Sequence, residues 1–289
     1  MPVDPLWNSK TARQFAAQRR PGALIRLGRQ HHCWTLAVLA DRIGVYGLGS
    51  AVLIKLGSYD RARLTADRAR TWAEISGSPL AAAAAARELA IVLRHQDQHG
   101  AAQRLMSSAA TDLETSGLRT EAATAGYAQM LCTLAYTAAR AGQRAEALAM
   151  TEEARRAARR LPQAARPNRL FAISPAAVDL YAVGVHWALG TGHWALDDAG
   201  AALDAGKNLR PEQFPTAERK ARMGTDMARA WWAWHRPEQT AHALLDAYRA
   251  SPGEVRGRPA IRRIVTELAE RHPRTSGVRE LHTAATRTN

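Results

Sequence analysis

The stretch VYGLGSAVLIKLGSYDRA, residues 45–62, decides the fold. An apolar run of helical length ends at Gly57, and Tyr59 and Ala62 follow two and five positions later. Glycine readily closes a helix, and a small residue one turn into the next helix lets the two lie close together. The pattern therefore predicts a helix-turn-helix hairpin. It recurs in weaker form as Asp97, His99 and Ala102, as Gly142, Arg144 and Ala147, as Gly192, Trp194 and Asp197, and as His235, Pro237 and Thr240. Each instance separates an apolar run from an amphipathic one, so five hairpins are expected.

Successive anchors are 40, 45, 50 and 43 residues apart, more than the roughly 34 of a tetratricopeptide repeat. The helices or their connections must be longer than standard. Residues 79–96 and 119–141 are expected as first helices of about five turns or more. The proline-punctuated segments 162–175 and 207–215 are expected as inserted connections. Hairpins that cannot bury an apolar face alone do so by stacking, and the fold class that follows is all-α, an α-solenoid of tetratricopeptide-like hairpins.

Composition points the same way. Hydrophobic residues make up 46% of the 289 but aromatics only 6%, and Ala and Leu carry the apolar share rather than the β-branched residues that favour sheets. Of the 40 basic residues four are lysines, and the formal net charge is +14. Residues 1–44 hold seven basic and two acidic side chains and residues 249–289 nine and four, so each end carries +5. Such ends suit phosphate or an acidic partner, or are solvated arginine-rich segments.

Cys33 and Cys132 lie 99 positions apart without metal-ligand spacing, so no disulfide framework or zinc site is implied and a reducing compartment fits. The opening MPVDPLWNSK has neither the cationic lead nor the apolar run of a signal peptide. No stretch reaches the roughly 20 apolar residues of a membrane span. A cytoplasmic chain without membrane contact is expected.

Three segments, SPGEVRGRPAIRRIV (251–265), FAISPAAVDLYAVGV (171–185) and VYGLGSAVLIKLGSYDRARLTADRA (45–69), together resemble the regulatory half of Xre-type transcriptional regulators with a C-terminal tetratricopeptide domain. Ahead of them, RPGALIRLGRQHHCWTLAVLADRIG (20–44) resembles the start of that family's helix-turn-helix. Leu24, Ile25 and Leu27 would be core of helix 1. Thr35 would cap helix 2, with Leu36, Leu39, Ala40 and Ile43 facing inward and Gly44 at the turn. The expected organisation is a basic arm over 1–19, a partial helix-turn-helix over 20–44, the solenoid over 45–273 and a tail over 274–289.

The resemblance implies a DNA-binding regulator whose solenoid senses a ligand or partner and dimerises. The chain departs from it at two places. A recognition helix presents polar side chains to base edges, whereas residues 51–56, AVLIKL, offer only Lys55. The third helix is missing. Within ISPAAV (173–178), Ala177 stands where the family usually has an Asn suited to holding a peptide backbone. Arg19, Arg20, Arg26, Arg29 and Arg42, with Thr35 at the entry of helix 2, remain as candidate DNA contacts and suffice for salt-sensitive, non-specific binding at about 10⁻⁴ to 10⁻⁶ M. The other reading of 20–44 is a pair of basic helices that cap the array.

On the solenoid side the candidate groove residues are Tyr127, Gln129 and Tyr181, for a peptide or protein partner. Trp231, Trp232 and Trp234, with Trp187 and Trp194, read as core between repeats or as an aromatic cage. Nucleotide-loop, dinucleotide, zinc-protease and serine-hydrolase motifs are absent from the sequence, so neither an enzyme nor a cofactor is expected. His31, His32 and Cys33 lack further ligands nearby and read as a polar turn rather than a metal site. Asp197 and Asp198 are adjacent on a helix and point apart. The run Glu152, Glu153, Arg155, Arg156, Arg159, Arg160 reads as a solvated face. An RNA- or membrane-surface binder is the least favoured class, since the basic ends hold only Trp7, Phe15 and Trp34 for stacking. Two main readings remain, the regulator and a tetratricopeptide interaction module that no longer reads DNA. Residues 45–57 discriminate them: a polar exposed face favours the first, burial under Tyr59 and Ala62 the second.

Overall fold

A computed structural model of the chain describes residues 36–115, 117–163, 170–190 and 195–286, together with Lys10 and Gln14. The fold is all-α. Among the described residues the regular elements are α-helices and one 3₁₀ turn at Pro211–Gln213. The chain divides into two compact units, Met1–Thr115 and Ser116–Asn289.

The first unit contains α1 (Leu36–Lys55), α2 (Tyr59–Ser76), α3 (Pro79–His95) and α4 (His99–Thr115). α1 pairs with α2 and α3 with α4, while α3 also packs on both helices of the first hairpin. Its core gathers Ile43, Ala69, Ala73, Ala81 and Ala85, with Tyr46 and Trp72 against them. The second unit contains α5 (Glu121–Arg140), α6 (Arg144–Ala158), α7 (Pro175–Leu189), α8 (Ala195–Gly206), α9 (Ala217–Ala233) and α10 (Pro237–Ala250), then α11 (Pro252–Arg256), α12 (Pro259–Arg271) and α13 (Val278–Thr286). Hairpins α5/α6, α7/α8 and α9/α10 stack so that α7 touches both helices of the pair before it, and α9 does likewise. Within each unit this is the solenoid arrangement.

Local chemistry accounts for the hairpins. Ser78, Thr120, Ser174 and Thr216 precede α3, α5, α7 and α9, and each side-chain oxygen accepts a hydrogen bond from the backbone N–H three residues on, at 3.3, 3.1, 3.3 and 3.2 Å. Each cap is worth about 1 kcal/mol. At the other end, Gly57, Asp97, Gly142 and His235 all adopt the left-handed conformation, with φ of 75°, 59°, 76° and 53°. Around each of them the same two bonds recur, as in Ser58 N–H to Leu53 O at 2.9 Å and Gly57 N–H to Ile54 O at 3.0 Å. This is a Schellman closure, and it turns the chain directly into the second helix. Gly192, the remaining anchor, lies outside the described residues.

The small residues expected five positions beyond the anchors are sealed: Ala62, Ala102, Ala147 and Thr240 are all 0% exposed. In the fourth hairpin the buried residue is Asp198 rather than the expected Asp197, which is exposed. A non-glycine in the left-handed region costs roughly 1 kcal/mol or more. Replacing Asp97, whose side chain is 90% exposed, by Gly is therefore expected to stabilise the first unit by about 0.5–1 kcal/mol. A urea midpoint that does not rise would count against strain at this turn.

Two boundaries differ from expectation. α1 runs without a break from Leu36 to Lys55, so Gly44 is not a turn. Within the stretch expected as a tail, Val278 and Leu281 of α13 are 1% and 0% exposed in the C-terminal core.

A candidate partner-binding face

In the second unit α5 packs on α7 and α7 on α9. α5 is sealed from Thr124 to Ala139 except at Tyr136, which is half-buried. Opposite it on α7 sits Gly184, where a Cβ would lie 3.5 Å from Tyr136 Cε2. α9 contributes Arg222, Asp226 and Arg229, whose four- and three-residue spacing places them on one side of the helix. The Arg222 guanidinium lies over the Tyr181 ring, 5.0 Å from its centroid, and that of Arg229 over the Trp187 ring at 4.7 Å. Between them the Asp226 carboxylate accepts from Arg222 Nε at 3.3 Å and from Arg229 Nη1 at 3.0 Å.

This is a ladder of guanidinium planes laid on aromatic rings across two helices. Each stack contributes about 0.5–2 kcal/mol, and the rings and carboxylate hold the guanidiniums in fixed orientation. The two guanidiniums share the Asp226 carboxylate, and Glu218 adds a second negative charge acting on Arg222. Arg229 Nε–H is buried and meets no acceptor among the described residues. Pre-oriented guanidinium edges suit carboxylates, which they bind bidentately.

A second polar cluster clamps the α6/α7/α8 junction. Arg144 donates to both oxygens of Asp198 at 2.9 and 2.7 Å, and this hydrogen bond holds the Arg144 guanidinium above its usual range. Arg155 bridges Asp179 at 3.0 Å and Glu152 at 2.5 Å, while Arg156 pairs with Glu153. That fits the solvated charged face read from the sequence. Burial holds His186 below the usual imidazole range, Asp198 opposing the shift and Arg155 and Arg144 adding to it. The folded state thus favours neutral His186, and the stability this contributes is present above the unfolded imidazole value of about 6.5 and is lost as pH falls below it through the lowered folded-state value.

No protein-family model matches the chain, and no curated protein matches it. Among solved structures it is similar to the crystal structure of BtubC (BKLC) from P. vanneervenii, at 15% sequence identity and a TM-score of 0.48, over 85% of this chain and 92% of that one. No ligand, partner or activity follows from a likeness this distant.

Of the residues expected at a DNA interface, Arg19, Arg20, Arg26, Arg29 and Thr35 lie outside the described residues, as do His31, His32 and Cys33. Arg42 is exposed on α1, its guanidinium 4.3 Å from the Trp72 ring centroid. Of the expected groove residues, Tyr127 and Gln129 lie on α5 and are 8% and 3% exposed. Their helix is covered on nearly every side. Tyr181 does join the face, as the ring beneath Arg222. The spacing of Arg222, Asp226 and Arg229 was visible in the sequence, but the rings they lie on come from another helix.

The tryptophans divide among separate cores: Trp232 packs on the C-terminal cluster, Trp231 on the α7/α8/α9 cluster and Trp187 on the α5/α7 cluster. Trp194 lies outside the described residues. Among the described residues no group of three or more His, Cys, Asp or Glu is placed to hold a metal, and no helix is long and apolar enough to cross a membrane.

Residues 45–57 match neither expected outcome. Ser50 is buried and donates to Ala62 O at 3.2 Å, yet Val45, Leu48, Val52 and Leu56 are 69%, 68%, 48% and 72% exposed. The outward side of α1 is apolar.

Proposed function

We propose that the chain is a cytoplasmic helical-repeat interaction protein, of the regulator type it resembles, that acts by holding a partner and does not select a DNA sequence. The observation that carries this reading is the guanidinium ladder on the face of α7 and α9, a pre-oriented, donor-rich surface suited to a carboxylate-bearing segment of a partner. The apolar outward side of α1 supports it from the other direction, because base reading requires polar side chains along an exposed helix. The second reading, a DNA-binding Xre/tetratricopeptide regulator that senses a ligand and dimerises, is favoured by the +5 charge over residues 1–44 and again over 249–289.

Anisotropy titration of the full chain with random and upstream genomic duplexes separates the two. Weak binding, equal for all duplexes and lost between low and physiological salt, is expected from arginine–phosphate attraction alone. A single upstream duplex bound tightly at physiological salt would establish the regulator reading instead. The partner side is tested with labelled hexaglutamate, whose affinity is expected to fall about tenfold in Arg222→Gln. Arg262→Gln/Arg263→Gln, which removes two exposed charges elsewhere, should change it little. Equal losses in both variants would reduce the ladder to bulk charge.

A further inference from the structure

The turn between α9 and α10 and the end of α12 enclose a cleft of 290 Å³ lined by Trp232, Ala233, His235, Pro237, Arg271 and His272. It shares no residue with the guanidinium ladder. Its aromatic wall is the Trp232 indole, met edge-on by His272 with ring centroids 6.2 Å apart. Its opposite corner is set by the Schellman turn, in which His235 N–H donates to Trp232 O at 3.0 Å and His235 is held at φ 53°.

The polar side chains around this cleft are one guanidinium and two imidazoles, and no carboxylate lines it. None of the three makes a side-chain hydrogen bond or ion pair with a described residue. Other arginines of this unit are committed elsewhere: Arg256 donates to Ala284 O and Tyr248 Oη, Arg258 to Glu254, and Arg229 to Asp226. Arg271 therefore presents unused guanidinium donors, and His235 and His272 unengaged ring nitrogens, beside an apolar aromatic wall. A bare inorganic anion would leave Trp232, Ala233 and Pro237 uncovered, and a cation would meet the positive Arg271 guanidinium. The volume sits at the small end of ligand sites, which run from about 300 Å³ upward, enough for one or two fused rings.

We propose that this cleft binds a small aromatic carboxylate, its ring against Trp232 and its carboxylate taken by Arg271 and the two imidazoles. The probe is 1-naphthoate, titrated calorimetrically into the full chain. Saturable one-site binding is expected, with Arg271→Gln weakening it about tenfold or more through loss of a charge-assisted pair and Ala233→Leu abolishing it by filling the cleft. Arg262→Gln/Arg263→Gln, which removes two exposed charges from the same helix, should leave affinity within about twofold. Far-UV circular dichroism confirms that each variant is folded. The proposal is overturned if naphthalene-1-carboxamide or 1-naphthylmethylamine binds as well as the carboxylate. Unchanged affinity in both Arg271→Gln and Ala233→Leu would also overturn it, as would the absence of saturation at millimolar naphthoate.

Discussion

Gly224→Val is expected to destabilise the second unit by about 3 kcal/mol or more, because it forces side-chain volume into a helix–helix contact that has none to spare. Gly224 lies in the middle of α9 facing α10. A Cβ built there would stand 2.7 Å from the carbonyl oxygen of Ala243 and 2.9 Å from Ala247 Cβ. The first of these is backbone, so no rotamer change relieves the clash, and α10 would have to move as a body. That movement would open the core in which Ala221, Ala228, Ala241, Leu244 and Ala247 are packed together. For a domain of this size the melting temperature should drop by roughly 6–12 °C. Gly200→Ala is the matched control, since nothing lies within 4 Å of a Cβ at that interior position of α8. It is expected to be stabilising by about 0.5–1 kcal/mol through helix propensity. Equal melting temperatures for wild type and Gly224→Val would mean that α9 and α10 do not approach this closely.

Phe214→Ala should be comparably severe, at about 3–5 kcal/mol, although the residue lies in a connection rather than a helix. Phe214 is 2% exposed and packs with Leu180, Val183, Leu203 and Leu209. It is presented by the 3₁₀ turn at Pro211–Gln213, where Arg210 N–H donates to Gln213 Oε1 at 2.6 Å and Phe214 N–H to Pro211 O at 3.1 Å. The inserted connection is thus pinned into the core of the α7/α8 and α9 contact. Removing the ring leaves a cavity that backbone so constrained cannot collapse to fill. Urea unfolding should show the loss, and limited proteolysis should cut within 207–216 in the variant and not in wild type. Glu212→Ala, at an exposed position of the same turn, should alter neither. A Phe214→Ala chain with wild-type stability and cleavage would show that the connection is not held by this side chain.

The hairpins were legible because their determinants are local. A Schellman closure is complete within six residues and an N-cap within four, so Gly57, Gly142, Ser78 and Thr216 announce themselves in the sequence. Asp97 and His235 were found by position in the repeat, although neither is the glycine that takes the left-handed conformation without steric cost. The uninterrupted α1 was not read. Gly44 and the following Gly47 and Gly49 suggest a break, yet packing against α2 and α3 outweighs about 1 kcal/mol of poor propensity per glycine.

The candidate face was only partly legible. Sequence pattern brought forward Tyr127, Gln129 and Tyr181 as A-helix polar residues; all three are buried, and Tyr181 is the ring that lies beneath a ladder guanidinium. Whether a helix side is open depends on how many neighbours surround it, and α5 is covered where α9 is not. Arg222 on Tyr181 and Arg229 on Trp187 join residues 41 and 42 positions apart, beyond the reach of any periodicity.

By itself the sequence determined an all-α chain of stacked hairpins, where four of their turns fall, and how charge is distributed along it. These follow from backbone hydrogen bonding and apolar spacing within a few residues. Only the tertiary structure decided that the array divides into two compact units, that α9 and α10 touch at Gly224, and that guanidiniums lie across rings from another helix. Those outcomes depend on the rotation and depth at which distant helices pack, quantities that no single helix encodes.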